Sequence, residues 1–350
     1  MIDWARRHPR PPSTEHRAPS TEDIAMSQHP PVPLGTFPTP VEPAPRLAVA
    51  LGLEPDDLWV KRDDLTGPGG GGNKVRKLEW TVGAALAEGA DTLVTTGAPQ
   101  SNHARLTAAA GARLGLDVVL VLRGSPGGSR SGNLALDGLF GARLAWAGEV
   151  DRAALDARAE EVCARLRAAG ARPALIPFGG SSTLSARGYA DCGAELREQV
   201  PRLRTVVVAL GSGGTMAGLV AALGGDSVLG VDVGALADPA AAVAEFAAPL
   251  TREEVVPEGL RVRRDQVGAG YAALTGPVTE ALRLAARTEG LVLDPTYTGR
   301  ALAGLRAAVR DGDIRPGEKT VFLHTGGLPG LFGHPAAVAF AEEGAAVFEA

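Results

Sequence analysis

The 350-residue chain is 45% hydrophobic and carries a formal charge of −5. That is apolar enough for a sizeable core in about two domains, and it lacks the basic surplus that would attract nucleic acid or anionic lipid. Cys163 and Cys192 are its two cysteines, too few for a disulfide framework and in keeping with a reducing cytoplasm, and no apolar run is long enough to span a bilayer.

In chain order, the first segment mixes Pro, Ser, Arg and His without apolar periodicity. Residues 1–29 are therefore expected to be a disordered tail. It has no apolar region of the kind a secretory signal needs, and Met26 is a candidate alternative start of translation. Strands are predicted at 91–97, 117–124, 143–148, 172–178, 204–211, 227–234 and 319–327, several of them apolar on both faces. Helices are predicted at 101–115, 151–170, 184–199, 214–224, 275–289 and 298–311, and ALADPAAAVAEFAAPL reads as a small-residue helix. The alternation specifies an α/β protein with doubly wound open sheets, whose ligands lie beyond the carboxyl ends of strands. No linker separates two halves, so a smaller domain (77–179) is expected to be inserted into a larger one (30–76 and 180–350).

Four stretches carry chemistry. The first, GPGGGGNKVRKLEW (67–80), sets four consecutive glycines before Lys74 and Lys77. It fails the nucleotide-hydrolase phosphate loop, because Asn73 separates Gly72 from Lys74 and Val75 replaces the metal-binding hydroxyl. A dinucleotide loop fits no better, since the charged stretch KRDDLTG precedes it where a buried strand should end. By composition alone, a surface turn followed by two solvated lysines is the favoured reading.

The second stretch, GAPQSNHAR (97–105), ends a strand and opens a helix. Ser101 and Asn102 sit in the N-cap region, and Gln100 and His103 flank them. Ser101 is either a simple cap or part of a carboxylate site at the helix N-terminus. In ALGSGGTMAG (209–218), glycines let successive amides converge with Thr215, giving either a phosphate cradle or a tight turn. Finally, LDPTYTGRA and FLHTGG place Tyr297, Thr298 and Thr325 near strand ends.

In this order, FPTPVEP, LWVKRDDLTG, GGNKVRKLE, QSNHAR, GSGGTMAG, TEGLVLDPTYTG and HTGG resemble the fold-type-II pyridoxal-phosphate enzymes, in the branch of D-cysteine desulfhydrase and 1-aminocyclopropane-1-carboxylate deaminase. The resemblance spans about residues 34–330. It implies a tryptophan-synthase-β-like fold, pyridoxal 5'-phosphate as cofactor, a small amino acid as substrate, a homodimer, and neither nucleic acid nor metal. By resemblance, Lys74 is the Schiff-base lysine and Lys77 reaches the phosphate. Ser212, Gly213, Gly214 and Thr215 cradle that phosphate, while Asn102 meets the ring hydroxyl. Ser101, Asn102 and His103 bind substrate, and Tyr271 and Tyr297 shape the site.

Thr298 and Thr325 stand where the deaminases have Glu and Leu. A hydroxyl does not enforce protonation of the pyridine nitrogen as a carboxylate does, which favours β-elimination. The expected reaction is therefore D-cysteine to pyruvate, ammonia and sulfide. The alternatives are L-cysteate sulfo-lyase, 1-aminocyclopropane-1-carboxylate deaminase, and a non-catalytic cofactor carrier or sensor.

Overall fold

Runs of Val and Leu form two open sheets in the computed structural model, which describes residues 30–127 and 131–344. The expected tail, 1–29, and the alternative start at Met26 lie outside the described residues. In chain order the elements are β1 (Val41–Pro43), α1 (Pro45–Leu51), β2 (Leu58–Lys61), α2 (Lys74–Ala87), β3 (Thr92–Gly97), α3 (Asn102–Leu114), β4 (Asp117–Leu122), α4 (Asn133–Leu139), β5 (Arg143–Trp146), α5 (Arg152–Ala168), β6 (Pro173–Leu175), α6 (Thr183–Gln199), β7 (Leu203–Leu210), α7 (Gly214–Leu223), β8 (Val228–Asp232), α8 (Pro239–Ala247), β9 (Arg261–Arg263), α9 (Gly276–Glu289), α10 (Thr298–Arg310), β10 (Lys319–Leu323), α11 (Leu328–Phe332) and α12 (Pro335–Glu343). No helix among the described residues is long and apolar enough to cross a membrane.

Six strands run in the order β1-β2-β10-β7-β8-β9 and four in the order β5-β4-β3-β6. Only β1 is antiparallel to its neighbour. Parallel strands need crossover helices on their faces, and the burial follows that requirement. On the larger sheet, Val207 and Phe322 pack with α1, α9 and α10 on one face, while Val206, Val208 and Val321 pack with α6, α7 and α8 on the other. On the smaller sheet, Leu93 and Leu120 face α2 and α3, and Val94, Val119 and Val121 face α5. Each such side chain contributes about 1.5–3 kcal/mol when fully buried.

The expected seven strands and seven helices are present with shifted ends, but β1, β2 and β9 were not foreseen. Of these, β2 corrects the reading of the glycine loop, because a buried strand does precede it. Charge disguised this strand. Lys61 is 0% exposed, and its Nζ donates to Glu195 Oε2 at 2.6 Å, Gln199 Oε1 at 2.7 Å and the Thr39 carbonyl at 2.9 Å.

A buried ion network continues from there. Arg76 Nε donates to Asp63 Oδ2 at 2.9 Å, and Arg76 Nη1 to Glu195 Oε1 at 2.8 Å. Asp63 also accepts from the Tyr189 hydroxyl at 2.5 Å and from Thr39 Oγ1 at 2.7 Å. The Arg76 guanidinium lies 4.2 Å from the Phe37 ring centre. The first turn of α2 is thereby fastened to α6 and to the segment after β2.

The glycine loop threads the space left between α3 and the end of β10. A Cβ on Gly71, where φ is +70°, would lie 1.9 Å from the Asp64 carbonyl oxygen, so only glycine fits. Arg105, fully buried on α3, donates from Nη1 to Gly69 O at 2.9 Å and from Nη2 to Gly71 O at 3.0 Å. The Asn73 amide meets Thr325 O at 3.0 Å. The glycines therefore serve close packing against the protein's own backbone, and the solvated turn expected from composition is not formed.

Candidate active site

Strand order reverses between β7 and β10 in the larger sheet and between β3 and β6 in the smaller one. Such switch points open a crevice beyond the strands' carboxyl ends. The segments leaving all four ends meet around two adjoining cavities of about 160 and 20 Å³ that share Lys74, Gly211, Ser212 and Tyr297.

Lys74 and Lys77 occupy the first turn of α2, three residues apart, so both point to the same side. Both ammonium groups donate to the Gly179 carbonyl, at 3.0 Å from Lys74 and 3.2 Å from Lys77. Lys77 also donates to Ser181 Oγ at 2.6 Å. Burial lowers the pKa of Lys74 to about 8. Lys77, with no exposed surface, is pushed well below its ordinary value by burial and by the Lys74 charge. Two lysines held this way are poorly solvated cations beside a preformed turn, and Lys74 opens onto both cavities.

The turn from β7 into α7 has the geometry of an anion cradle. Gly213 has φ of +90°, and Gly214 N donates to Ser181 Oγ at 3.3 Å. Ser181 Oγ lies 2.7 Å from Ser212 Oγ, and Thr215 Oγ1 accepts from Asn73 Nδ2 at 3.0 Å. A Cβ on Gly214 would meet Ser181 Oγ at 2.9 Å and Lys77 Nζ at 3.1 Å. Bare backbone, three hydroxyls, a helix N-terminus and a buried ammonium form a donor set that fits a phosphate dianion. Ser212, Gly213, Gly214, Thr215 and Lys77 are thus brought together.

Ser101 caps α3, its Oγ accepting from Ala104 N at 3.1 Å, and it lines the larger cavity. Asn102 lines the smaller one, and its Oδ1 accepts from Asn133 Nδ2 at 3.1 Å. His103 is 2% exposed and also lines the larger cavity. Its Nε2 lies 2.8 Å from Thr95 Oγ1, which itself donates to Ile176 O at 2.9 Å, so Nε2 carries the proton and Nδ1 is a bare acceptor. Burial, then the charges of Lys74 and Lys77, hold the ring neutral by lowering its pKa well below the ordinary value.

The Tyr271 and Tyr297 hydroxyls are 2.5 Å apart at the cavity wall. Burial, followed by the neighbouring phenol, raises Tyr297 well above the ordinary phenol value. Thr325 lines the smaller cavity. Thr298 does not: it is 0% exposed and its Oγ1 donates to Asp294 Oδ1 at 2.8 Å. Of the two threonines near Tyr297 and the end of β10, only Thr325 lines a cavity.

Gly179 and Ser181 were missed, although FGGSS follows a predicted strand with the same glycine-then-hydroxyl pattern as GSGGT. Arg123, on the wall of the larger cavity, was missed as well. A lone arginine after a strand carries no local signal.

Residues 32–326 match the family described as pyridoxal-phosphate dependent enzymes. A Pyrococcus abyssi protein named "Putative 1-aminocyclopropane-1-carboxylate deaminase" is 40% identical over 322 residues, which covers 89% of this chain and 95% of that protein. A crystal structure described as that of "the ACC deaminase homologue" superposes with a TM-score of 0.80 at 36% identity, covering 91% of this chain and 98% of the other. Threonine deaminase isoform 2 from Solanum lycopersicum shares the fold, with a TM-score of 0.58 at 18% identity over 82% of this chain and 83% of that one.

Proposed function

The chain belongs to the fold-type-II pyridoxal-phosphate-dependent enzymes, in the family of 1-aminocyclopropane-1-carboxylate deaminase and D-cysteine desulfhydrase, and from that premise we propose that it is a lyase converting D-cysteine to pyruvate, ammonia and sulfide. One observation carries the choice: among the described residues no Asp or Glu lines either cavity, and Thr325 is the hydroxyl-bearing residue at the end of β10. A pyridine nitrogen without a carboxylate partner is a modest electron sink, sufficient when the leaving group is good.

When bound, the cofactor withdraws electrons from the substrate's Cα and so eases loss of its proton. Lys74 would hold it covalently, while Lys77, Ser212, Gly213, Gly214 and Thr215 would hold its phosphate, with Asn102 and Thr325 beside the ring. Ser101 and the α3 N-terminus would bind the substrate carboxylate, with His103 behind them as a neutral wall. The Lys74 amine, freed when the substrate amine takes its place, would remove the Cα proton. The electron pair left at Cα closes the Cα–Cβ double bond, and the Cβ–S bond breaks with its pair leaving on sulfur. Water then hydrolyses the released enamine to pyruvate and ammonia. Tyr297, paired with Tyr271, is placed to pass a proton to the departing group.

The relatives' names favour a second reading, deamination of 1-aminocyclopropane-1-carboxylate, more directly than they favour D-cysteine. A screen for 2-oxo acid release, with D- and L-isomers run separately, separates the two. Pyruvate from D-cysteine supports elimination, and 2-oxobutyrate from the cyclopropane substrate supports the second reading. Cofactor binding without turnover of any amino acid would leave a carrier or sensor. Assembly as a homodimer is part of the same proposal, with sedimentation velocity as its test.

Two outcomes follow from the lysine pair. Lys77→Ala should keep the visible absorbance of lysine-linked cofactor yet weaken its retention by about tenfold or more, the loss of one charge-assisted bond to phosphate; dialysis against buffer measures it. Capture of cofactor by the apoprotein requires the free Lys74 amine, so its rate should rise with pH around a midpoint near 8, below the ordinary lysine value of about 10.4. Stopped-flow absorbance checks this, and a midpoint near 10 would refute it.

A further inference from the structure

Arg123 is a cation on the cavity wall for which the reaction above has no use. It follows β4, and its amide donates to Gly97 O at 2.9 Å, which fixes it beside the segment that leads to Ser101. Its side chain is exposed yet lines the larger cavity. Among the described residues its guanidinium has no hydrogen-bond or ion-pair partner, whereas Arg62, Arg76, Arg105, Arg263 and Arg300 are each tied to carboxylates or carbonyls.

Lys74 and Arg123 are the two cationic side chains on that wall, and no carboxylate among the described residues balances them. Arg123 and Tyr271 line the same cavity, and desolvation imposes on the Tyr271 hydroxyl an upward shift that the Arg123 charge opposes. With the substrate carboxylate assigned to Ser101 and the α3 N-terminus, the Arg123 guanidinium on the same wall is left for a second anionic group. A guanidinium offers a planar pair of N–H donors matched to two oxygens of one group.

We propose that Arg123 is a specificity-determining residue that receives an oxyanionic β-substituent, such as a sulfonate, on the amino acid undergoing elimination. The proposal rests on the β-elimination reading and deepens it. With a sulfonate, the Cα proton is removed, its electron pair forms the Cα–Cβ double bond, and the Cβ–S bond breaks with its pair leaving on sulfite. Hydrolysis of the enamine gives pyruvate and ammonia as before. The leaving group departs as an anion already held by Arg123, and a neutral β-substituent gains nothing from that contact.

The test uses the holoenzyme with cysteate and β-chloroalanine, both enantiomers of each, in wild type, Arg123→Gln and Arg123→Lys. Arg123→Gln should lower the ratio of kcat/KM for cysteate to that for β-chloroalanine by about tenfold or more, mainly through KM, and Arg123→Lys should restore part of it. An equal loss on both substrates would overturn the proposal and assign Arg123 to the common carboxylate. So would turnover of β-chloroalanine without turnover of cysteate in the wild type. If neither enantiomer of either probe yields pyruvate, the elimination reading falls and spectral titration of the bound cofactor still decides the role of Arg123. Tighter binding of cysteate than of alanine that disappears in Arg123→Gln supports it, and equal binding refutes it.

Discussion

Lys74→Ala is expected to abolish the visible absorbance of lysine-linked cofactor and to lower turnover by about ten-thousand-fold, because in the proposed mechanism one side chain would serve as both covalent anchor and base. The neighbouring lysine does not replace it. Lys77 is fully buried and bonded to Ser181 and Gly179, whereas Lys74 opens onto both cavities. Absorbance of the reconstituted protein and 2-oxo acid release are the two measurements. Retained absorbance in Lys74→Ala together with its loss in Lys77→Ala would exchange the two roles.

Arg76→Ala should give the largest loss of stability, about 3–5 kcal/mol out of a typical total of about 5–15. The change strips Asp63, a carboxylate with no exposed surface, of its Arg76 donors at 2.9 and 3.1 Å. Two other donors, Thr39 and Tyr189, remain but carry no charge. Arg76→Lys should recover little, since an ammonium does not reproduce the fork that spans Asp63 and Glu195. Urea unfolding at constant cofactor measures the effect as a lower midpoint with an unchanged slope.

The pH dependence of that loss has a defined sign. In the wild type, burial pushes the Asp63 carboxyl up, but the Arg76 charge and the four donors outweigh it and hold the group below the usual carboxylate range. Its stabilising contribution is complete above about pH 4 and is lost as pH falls through the lower folded value. Without Arg76, burial dominates and the folded pKa rises, so the variant's deficit should shrink as the carboxyl takes up a proton in acid. A deficit that is constant from pH 7 to pH 4 would argue against this account of the network.

Much of the candidate site was legible in sequence because it is written locally. Lys74 with Lys77, Ser101 with Asn102, and GSGGT each follow from a strand, a turn and a helix start within a few residues. What was not legible depends on partners remote in the chain. Lys61 reads as a surface charge until Glu195 and Gln199, 134 and 138 residues away, neutralise and solvate it, and with it the strand β2 disappears from view. The glycine loop looked solvated because nothing local shows that Arg105 clamps its carbonyls. Thr298 looked like a site residue because nothing in the sequence pattern shows that Asp294, four residues earlier, takes its hydroxyl and also accepts the Tyr297 and Thr298 amides at 2.9 Å.

If Lys74 acts as proposed, the Gly179 carbonyl has a consequence for the timing of catalysis. It accepts from both lysines at 3.0 and 3.2 Å, so it offers a berth to the Lys74 amine whenever that amine is detached. A lysine tethered there stays within reach of the cavity and does not swing into solvent, which shortens its return. Being main chain, the berth is indifferent to side-chain substitution. It is also sealed against drift, since Gly179 has φ of +60° and any Cβ there would fall 2.4 Å from Ser212 Oγ.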